Sequence, residues 1–230
     1  MDKLAVLRQY FGFPAFRAGQ QTLIDAVLSG RDALGVMPTG GGKSLCYELP
    51  ALLLPGMTLV VSPLISLMKD QVMALRNAGI PAGCINSSMS LDELRETYRD
   101  ARYGAYKLLY VAPERLLTDG FCSLAQELEI PLVAVDEAHC ISQWGQDFRP
   151  SYLKIVEFLQ RLPRRPAVAA FTATATAQVR ADIIRILQLH EPETVVTGFD
   201  RPNLRFEVLR PKDKRTALLQ LLSERRGFGE

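Results

Sequence analysis

The sequence predicts an α/β fold, a three-layer α/β/α sandwich in which helices cover both faces of a mostly parallel sheet. Apolar runs of strand length alternate with longer amphipathic segments along the chain, which is typical of strand–helix–strand units. The apolar runs are continuous instead of alternating, as in strands that are buried on both faces. We therefore expect parallel strands joined by right-handed helical crossovers.

The elements follow in order along the chain. The predicted strands are residues 32–37, 57–61, 82–85, 107–111, 131–135 and 167–171. The predicted helices are residues 18–29, 43–53, 64–78, 90–103, 119–128, 150–161 and 176–188. Ser90 and Glu93 have the spacing of a capping box, which marks the start of one helix. A last strand (203–209) and helix (212–224) follow Pro192, and we expect one domain over 1–209 and a connector over 210–230.

Composition excludes some classes of protein. The 230 residues are 48% hydrophobic and 23% charged, which suits an ordinary globular protein with one generous core. No stretch approaches the roughly 18 apolar residues of a membrane span, and the N-terminus lacks a secretory profile, so we expect a cytoplasmic protein with no membrane partner.

The cysteines at 46, 84, 122 and 140 form no Cys-x-x-Cys pair and are expected to be reduced core thiols. A formal charge of +2 means that any nucleic acid must be held by local patches.

A glycine-rich loop joins the predicted strand 32–37 to the helix that follows. Glycines let successive N–H groups converge on phosphates, and the helix N-terminus adds positive charge there. Lys43 would neutralise the β- and γ-phosphate oxygens, and Ser44 would offer its hydroxyl to Mg²⁺. Met37 stands where the strict pattern has glycine, so the loop is a relaxed variant. The alternative is a flexible linker, although linkers rarely join a buried strand to a helix. The predicted ATP-binding residues of this loop are Thr39, Gly40, Gly41, Gly42, Lys43 and Ser44.

A pair of carboxylates follows the predicted strand 131–135. The carboxyl ends of strands are where ligands bind in open α/β sheets. Asp136 would hold Mg²⁺, through water, and Glu137 would take a proton from the attacking water. Lys43, Asp136 and Glu137 are therefore the predicted catalytic residues, with ATP and Mg²⁺ as cofactors. Read alone, the pair could also be acidic residues at a helix cap or in a loop.

Two further segments accompany these motifs. Residues 11–20 read Phe-Gly-Phe-Pro-Ala-Phe-Arg-Ala-Gly-Gln, and residues 142–150, shortly after Asp-Glu-Ala-His at 136–139, read Ser-Gln-Trp-Gly-Gln-Asp-Phe-Arg-Pro. With these motifs the sequence resembles the RecQ family of superfamily 2 DNA helicases, specifically the first RecA-like lobe, from about residue 7 to residue 209. The resemblance implies a RecA-like P-loop NTPase fold. It also implies ATP-driven 3′ to 5′ translocation on single-stranded DNA and duplex unwinding by the intact enzyme.

The resemblance assigns the segment 11–20 to adenine recognition. It implies that Phe13 stacks on the base, that Gln20 hydrogen-bonds its edge, and that Arg17 assists nearby. Without the resemblance, the three phenylalanines of this segment would be read as core aromatics.

The resemblance also implies a nucleic-acid-binding edge. Residues 62–71 resemble motif Ia and residues 110–116 resemble motif Ib, and each begins where a predicted strand ends. Ser62, Lys69 and Arg115 could therefore line an edge that tracks phosphates. Each segment alone is equally typical of a strand-to-helix turn.

The segment 142–150 resembles the family's aromatic-rich loop, which senses single-stranded DNA and couples it to hydrolysis. Trp144, Phe148 and Arg149 suit base stacking and phosphate pairing, and a buried aromatic pair is the alternative. Gln146 stands where the family usually has histidine, so it keeps a hydrogen-bonding tip but carries no charge. We expect Gln146→His to increase the stimulation of hydrolysis by DNA.

The remaining predicted coupling residues are His139, Thr172 and Thr174. His139 is implied to contact the region that senses the γ-phosphate, although alone it could be a core histidine. Thr172 and Thr174 belong to residues 171–175, which resemble motif III and are implied to link the acidic pair to the DNA side. Residues 199–205 match a segment that closes the first lobe.

The expected partners are ATP, single-stranded and forked DNA, and a second RecA-like lobe that this chain does not contain. In the family that lobe supplies arginines to the nucleotide, so we expect this chain alone to bind Mg·ATP and to hydrolyse it slowly. The expected location is cytoplasmic, or nucleoid-associated in a bacterium. Two alternatives stay open: an RNA helicase lobe, because the Asp-Glu-Ala-His box is shared, and a nucleotide-dependent binding module.

Overall fold

The computed structural model describes residues 2–145, 147–198 and 207–224, in two compact units, Met1–Gly198 and Phe199–Glu230. The first unit is built on a seven-stranded sheet with the strand order β3-β4-β2-β5-β6-β1-β7, and every pairing between described strands is parallel. The strands are β1 Ala33–Val36, β2 Thr58–Val61, β3 Ala82–Ile85, β4 Leu108–Val111, β5 Leu132–Val135, β6 Ala167–Thr172 and β7 Glu193–Val196. The predicted α/β fold with a parallel sheet is confirmed.

Helices cover both faces of this sheet. Those of the first unit are α1 Lys3–Phe11, α2 Gln20–Leu28, α3 Leu45–Leu53, α4 Ile65–Asn77, α5 Leu91–Arg102, α6 Asp119–Glu127, α7 Lys154–Arg161 and α8 Ala177–Ile186. Short 3₁₀ turns span Pro113–Arg115, Ala138–Ile141 and Pro150–Leu153, so the helix predicted over 150–161 begins as a 3₁₀ turn. The capping box of α5 is confirmed, because Ser90 Oγ accepts from the Glu93 N–H while the Glu93 carboxylate accepts from the Ser90 N–H. The second unit contains α9, Lys214–Glu224.

Three features differ from the prediction or fall outside it. Helix α1 and strand β7 were not predicted. Of the strand predicted over 203–209, residues 203–206 lie outside the described residues, and residues 207–209 form no strand. The predicted domain boundary at residues 209 and 210 stays a prediction.

The core lies on both faces of the sheet, which explains the continuous apolar runs. On one face Val60, Tyr110 and Phe171 pack with residues of α2, α3 and α4. On the other face the alternate strand residues pack with α6, α7 and α8, where Phe121 and Phe158 stack at 5.5 Å between ring centroids. Burying each large apolar side chain contributes about 1.5–3 kcal/mol, so the packing on both faces of the sheet stabilises the fold.

A buried carboxylate fixes the amino end of the sheet. Asp32, just before β1, accepts hydrogen bonds from the Arg165 guanidinium, from Val168 N at 2.8 Å and from His190 N at 2.7 Å. It therefore ties β1 to β6 and to the turn that leads into β7.

The cysteines are free, and two of them, Cys46 and Cys140, are buried, in agreement with the expected core thiols; Cys84 and Cys122 are partly exposed. Among the helices of the described ranges, none combines the length and the apolar character needed to cross a bilayer.

Candidate functional site

One cavity at the carboxyl edge of the sheet gathers segments that are far apart in sequence. The loop 37–44 follows β1 and Asp136 follows β5, so parallel pairing brings both to the same edge. The cavity has a volume of about 410 Å³. Its lining contains every predicted ATP-site residue except Gly41, and is formed by Phe13, Ala15, Arg17, Gln20, Thr39, Gly40, Gly42, Lys43, Ser44, Leu45, Leu67, Gln71, Asp136 and Glu137.

The glycine-rich loop has a backbone that only glycine adopts readily. Gly40 and Gly42 have φ angles of +78° and +82°. A Cβ on Gly42 would lie 2.3 Å from Gln20 Nε2, so a side chain there would force the Gln20 carboxamide out of its present position. Lys43 Nζ donates to the Met37 carbonyl at 3.2 Å, which holds the ammonium group over the loop. The loop is therefore a compact turn and not a flexible linker.

The surroundings of Met37 explain why methionine can stand where the strict loop pattern has glycine. Its side chain is 1% exposed and packs in the core cluster that contains Tyr47 and Phe171. Its backbone N–H donates to Thr172 O at 3.0 Å, and its carbonyl accepts from Lys43. The position therefore continues β1 into the core, with no positive φ angle that would require glycine.

The predicted adenine-recognition residues lie together beside this loop. Gln20 is buried, with Nε2 donating to Gly42 O at 3.1 Å and Oε1 accepting from Arg17 N at 2.7 Å. The Arg17 guanidinium donates to Gly40 O and lies 5.9 Å from the centroid of the Phe13 ring. Phe13 is 45% exposed, so its ring is available for stacking. The Gln20 carboxamide keeps one further donor and one further acceptor site for a base edge.

The two adjacent carboxyl groups have opposite electrostatic environments. Asp136 is 5% exposed, and burial, followed by repulsion from Glu137, raises its pKa to about 6. The Glu137 N–H, which donates to Asp136 Oδ1 at 3.0 Å, and the Lys43 charge oppose this rise only partly. The hydrogen bond from the His139 imidazole lowers the pKa of Glu137. Glu137 is therefore the stronger acid of the pair.

A chain of contacts leads from the acidic pair across the sheet edge. His139 Nδ1 lies 3.2 Å from Glu137 Oε2 and 2.9 Å from Thr172 Oγ1. Thr172 Oγ1 in turn donates to Thr174 O at 3.1 Å. Contacts with the Cys140 sulfur and with the Glu137 carboxylate raise the pKa of His139 to about 10, so the imidazole is protonated at neutral pH. The structure thus brings three of the predicted coupling residues together, while Gln146 lies outside the described residues.

The oxygen groups of this cavity suit magnesium. The Ser44 hydroxyl and the Asp136 carboxylate both line it, and Mg²⁺ prefers such hard oxygen ligands. Within the described ranges, no group of three or more His, Cys, Asp and Glu side chains is arranged to hold a metal. A bound Mg²⁺ would therefore keep several water ligands and share the nucleotide's phosphates, which is its usual behaviour.

The predicted nucleic-acid residues differ in their accessibility. Trp144 is 75% exposed, which excludes the alternative of a buried indole, and Lys69 is exposed. Phe148 and Arg115 are partly buried, and Arg115 Nε donates to Asn86 O at 3.3 Å. Ser62 is fully buried, so its hydroxyl does not face solvent, and its predicted contact with nucleic acid stays untested.

The aromatic loop is folded against the acidic-pair segment. Arg149 pairs with Asp147 at 2.7 Å and donates to Pro63 O at 3.2 Å, which connects the loop to the end of β2. Its backbone N–H donates to Cys140 O at 2.8 Å. A Cβ on Gly145 would lie 2.3 Å from the His139 carbonyl oxygen, so the two backbones are in close contact there.

Besides the apolar Ala15 and Leu45, three residues that line the cavity or lie next to it were not predicted. Leu67 and Gln71 of α4 line the cavity, and their four-residue spacing in the segment 62–71 was a usable signal of one helix face. Glu48 accepts from the Tyr110 hydroxyl at 3.3 Å, and burial raises its pKa to about 7. A carboxyl group inside the otherwise apolar helix α3 was the signal for Glu48.

Comparison with known proteins agrees with this geometry. Residues 17–183 match the family model described as DEAD/DEAH box helicase, so the chain belongs to the DEAD/DEAH box helicase family. The chain is 50% identical over 211 residues to the ATP-dependent DNA helicase RecQ of Bacillus subtilis (strain 168), covering 91% of this chain and 36% of that protein. It is 48% identical over 206 residues to the RecQ of Pasteurella multocida (strain Pm70), covering 90% and 32%. The resemblance to the motor lobe of RecQ-type helicases is thereby confirmed.

The chain spans about a third of the length of these RecQ relatives. It is also 41% identical over 234 residues to the probable ATP-dependent DNA helicase RecS of Bacillus subtilis (strain 168), covering 100% of this chain and 47% of that protein.

Solved structures show the same fold at low sequence identity. The DUF1998 helicase MrfA matches with a TM-score of 0.67 and 18% identity over 84% of this chain and 32% of its own. A hypothetical ATP-dependent RNA helicase from Sulfolobus tokodaii matches with a TM-score of 0.64 and 21% identity over 84% of this chain and 56% of its own. Both support the helicase-domain fold.

Proposed function

We propose that this chain is the ATP-binding motor lobe of a RecQ-type 3′ to 5′ DNA helicase. In the intact enzyme it couples hydrolysis of Mg·ATP to translocation on single-stranded DNA and to duplex unwinding. The observation that carries the proposal is the single cavity that joins Phe13, Gln20, the loop 39–44 and the acidic pair. A nucleotide could contact all of these segments at once.

Within this cavity each residue has a role that its surroundings support. The loop N–H groups and Lys43 hold the phosphates, with Lys43 exchanging the Met37 carbonyl for a phosphate oxygen. Ser44 and Asp136 would hold Mg²⁺, which would neutralise phosphate charge when bound. Glu137 takes the proton of the attacking water, and its lowered pKa keeps it deprotonated at neutral pH.

The contacts that join Glu137, His139 and Thr172 could couple DNA binding to ATP hydrolysis. Protonated His139 donates to Glu137 and to Thr172, so a shift of the histidine changes the orientation of the base. The aromatic loop packs on the His139 carbonyl through Gly145. DNA stacked on Trp144 would therefore act on the 3₁₀ turn that carries His139, and this is the basis of the proposed coupling.

A second RecA-like lobe is proposed to complete the site. Arg17 is the one arginine that lines the cavity among the described residues, and it is occupied by the Gly40 carbonyl. Transition-state charge on the transferred phosphoryl group usually needs a further arginine, worth about 10³–10⁵ in rate. We therefore expect this chain alone to act as a nucleotide- and DNA-binding module with slow turnover.

The proposed partners are ATP, Mg²⁺, single-stranded DNA and forked DNA, and the proposed location is cytoplasmic, or nucleoid-associated in a bacterium. An RNA helicase lobe is the weaker alternative, because the relatives at 41–50% identity are named as DNA helicases. Comparing stimulation of hydrolysis by DNA and by RNA of the same sequence separates the two.

The deciding experiment measures Mg·ATP binding and steady-state hydrolysis, with and without single-stranded DNA, for the wild type and for Glu137→Gln. Clear Mg·ATP binding by both proteins, with slow turnover that Glu137→Gln abolishes, supports the proposal. Absence of Mg·ATP binding in the wild type contradicts it. Fast DNA-stimulated turnover that is lost in Glu137→Gln would contradict the need for a second lobe.

A further inference from the structure

Helix α4 places an unpaired hydrogen-bond acceptor beside the nucleotide cavity. Leu67 and Gln71, one turn apart, line the cavity together with Ser44 and Asp136. Among the described residues, the Gln71 Oε1 atom is one of a few buried side-chain polar atoms with no hydrogen-bond partner. The other polar side chains of α4 beyond this turn, such as Asn77, are exposed to solvent.

An unpaired buried acceptor lowers stability, because the group loses its hydrogen bonds to water and gains none from protein. A buried polar atom without a partner in a native structure calls for an explanation, and a bound water, ion or ligand is one such explanation. Since Gln71 lines the proposed ATP site, a donor belonging to the bound nucleotide complex is the natural partner.

The topology indicates which part of that complex lies near Gln71. Phe13 and Arg17 lie in the turn between α1 and α2, and Gln20 is the first residue of α2. Helix α2 packs on α3, β1 and β7, at one end of the sheet. Helix α4 follows β2 and packs on β3, at the opposite end. Strand β2 pairs with β5, whose end carries Asp136. Gln71 therefore lies towards the acidic pair and away from the adenine-recognition residues.

At the acidic-pair end, phosphate oxygens only accept hydrogen bonds, so they cannot satisfy Gln71 Oε1. Waters bound to Mg²⁺ are strong donors, and few protein ligands are available to replace them in this cavity. Groups that accept from metal ligands orient the ligand shell and strengthen metal binding.

We propose that Gln71 Oε1 accepts a hydrogen bond from a water on the nucleotide-bound Mg²⁺, which makes Gln71 a positioning residue for the metal's hydration shell. The inference rests on the proposed function. If the inference holds, the segment 62–71 does not serve DNA binding alone, because one face of α4 also belongs to the nucleotide site.

The test compares three variants by equilibrium binding of a fluorescent ATP analogue, once with Mg²⁺ and once with EDTA. Gln71→Met keeps the side-chain length and removes the acceptor, while Gln71→Glu keeps an acceptor oxygen. Asn77→Leu, on the exposed part of the same helix, is the matched control. Far-ultraviolet circular dichroism verifies that each variant is folded.

We expect Gln71→Met to weaken binding about tenfold in Mg²⁺ and to leave binding in EDTA unchanged. Gln71→Glu and Asn77→Leu should bind like the wild type in Mg²⁺. Equal loss by Gln71→Met in both conditions would overturn the inference in favour of direct nucleotide contact or cavity collapse, and no loss would overturn it as well. Failure of the wild type to bind Mg·nucleotide would instead contradict the proposed function.

Discussion

Replacing Asp136 with asparagine should stabilise the nucleotide-free protein, although this residue is a predicted catalytic group. Asp136 is 5% exposed, and burial is the main cause that raises its pKa from 3.8 to about 6. The folded state therefore binds this proton more tightly than the unfolded state does. As the pH rises from 3.8 through 6, ionisation costs folding free energy, and above 6 the full cost is present.

The expected gain in the free energy of unfolding follows from the pKa shift of Asp136. A change from 3.8 to about 6 is roughly two pKa units, and each unit corresponds to about 1.4 kcal/mol. The ionised carboxylate therefore costs about 3 kcal/mol at pH 8. Asparagine still accepts the Glu137 N–H through Oδ1, but its amide N–H groups need an acceptor, which lowers the expected gain to about 2 kcal/mol.

Equilibrium unfolding in urea at pH 8, 6 and 4 measures this gain. We expect Asp136→Asn to be more stable than the wild type at pH 8 and to lose this advantage near pH 4, where the folded wild type carries the proton and no longer bears the cost of a buried charge. Glu137→Gln is the control, because the pKa of Glu137 is lowered and its neutralisation should leave stability unchanged or reduce it. A gain that is absent at pH 8, or that does not vary with pH, would refute the reasoning.

Three further predictions test other parts of the molecule. Trp144→Ala should weaken binding of a single-stranded oligonucleotide about tenfold in fluorescence anisotropy, with an unchanged unfolding midpoint because the indole is 75% exposed. Unchanged affinity would exclude stacking at this position. Thr172→Val removes the hydroxyl that contacts His139, so DNA-stimulated hydrolysis should fall more than basal hydrolysis in a steady-state assay; an equal fall would argue against coupling. Asp32→Ala leaves the Arg165 guanidinium and two backbone N–H groups without their acceptor, and should lower the free energy of unfolding by about 3 kcal/mol in urea titrations. An unchanged midpoint would contradict this role.

Six of the seven strands could be predicted because burial on both faces leaves a continuous apolar run in the sequence. Strand β7 lies at the sheet edge, and its residues alternate between partly buried and exposed, so it lacks that run. Helix α1 was missed even though Val6 and Leu7 are buried and Tyr10 and Phe11 pack beside them at helical spacing. Nine residues with one apolar stripe give a weak periodic signal beside the neighbouring aromatic motif.

Some residues of the candidate site could be predicted from short sequence motifs, and others depend on how the elements pack. Lys43, Ser44 and the acidic pair could be predicted because each lies in a short motif at the end of a buried strand. Gln71 and Glu48 each have a local signal, the four-residue spacing with Leu67 and a carboxyl group in an apolar helix, but only the packing of α4 and α3 over the sheet places them at the site. The full burial of Ser62 is likewise a consequence of its position between β2 and the helices.

The backbone at Glu137 explains how two neighbouring carboxyl groups acquire different roles. Glu137 has a φ angle of +47°, a left-handed conformation that costs a non-glycine residue about 1 kcal/mol or more. This conformation ends the extended segment after β5 and leads into the 3₁₀ turn Ala138–Ile141, which brings His139 next to Glu137. Asp136 meanwhile stays buried, where its pKa rises. A metal ligand and a proton acceptor can therefore occupy consecutive positions, because the turn gives one a desolvated environment and the other a cationic partner.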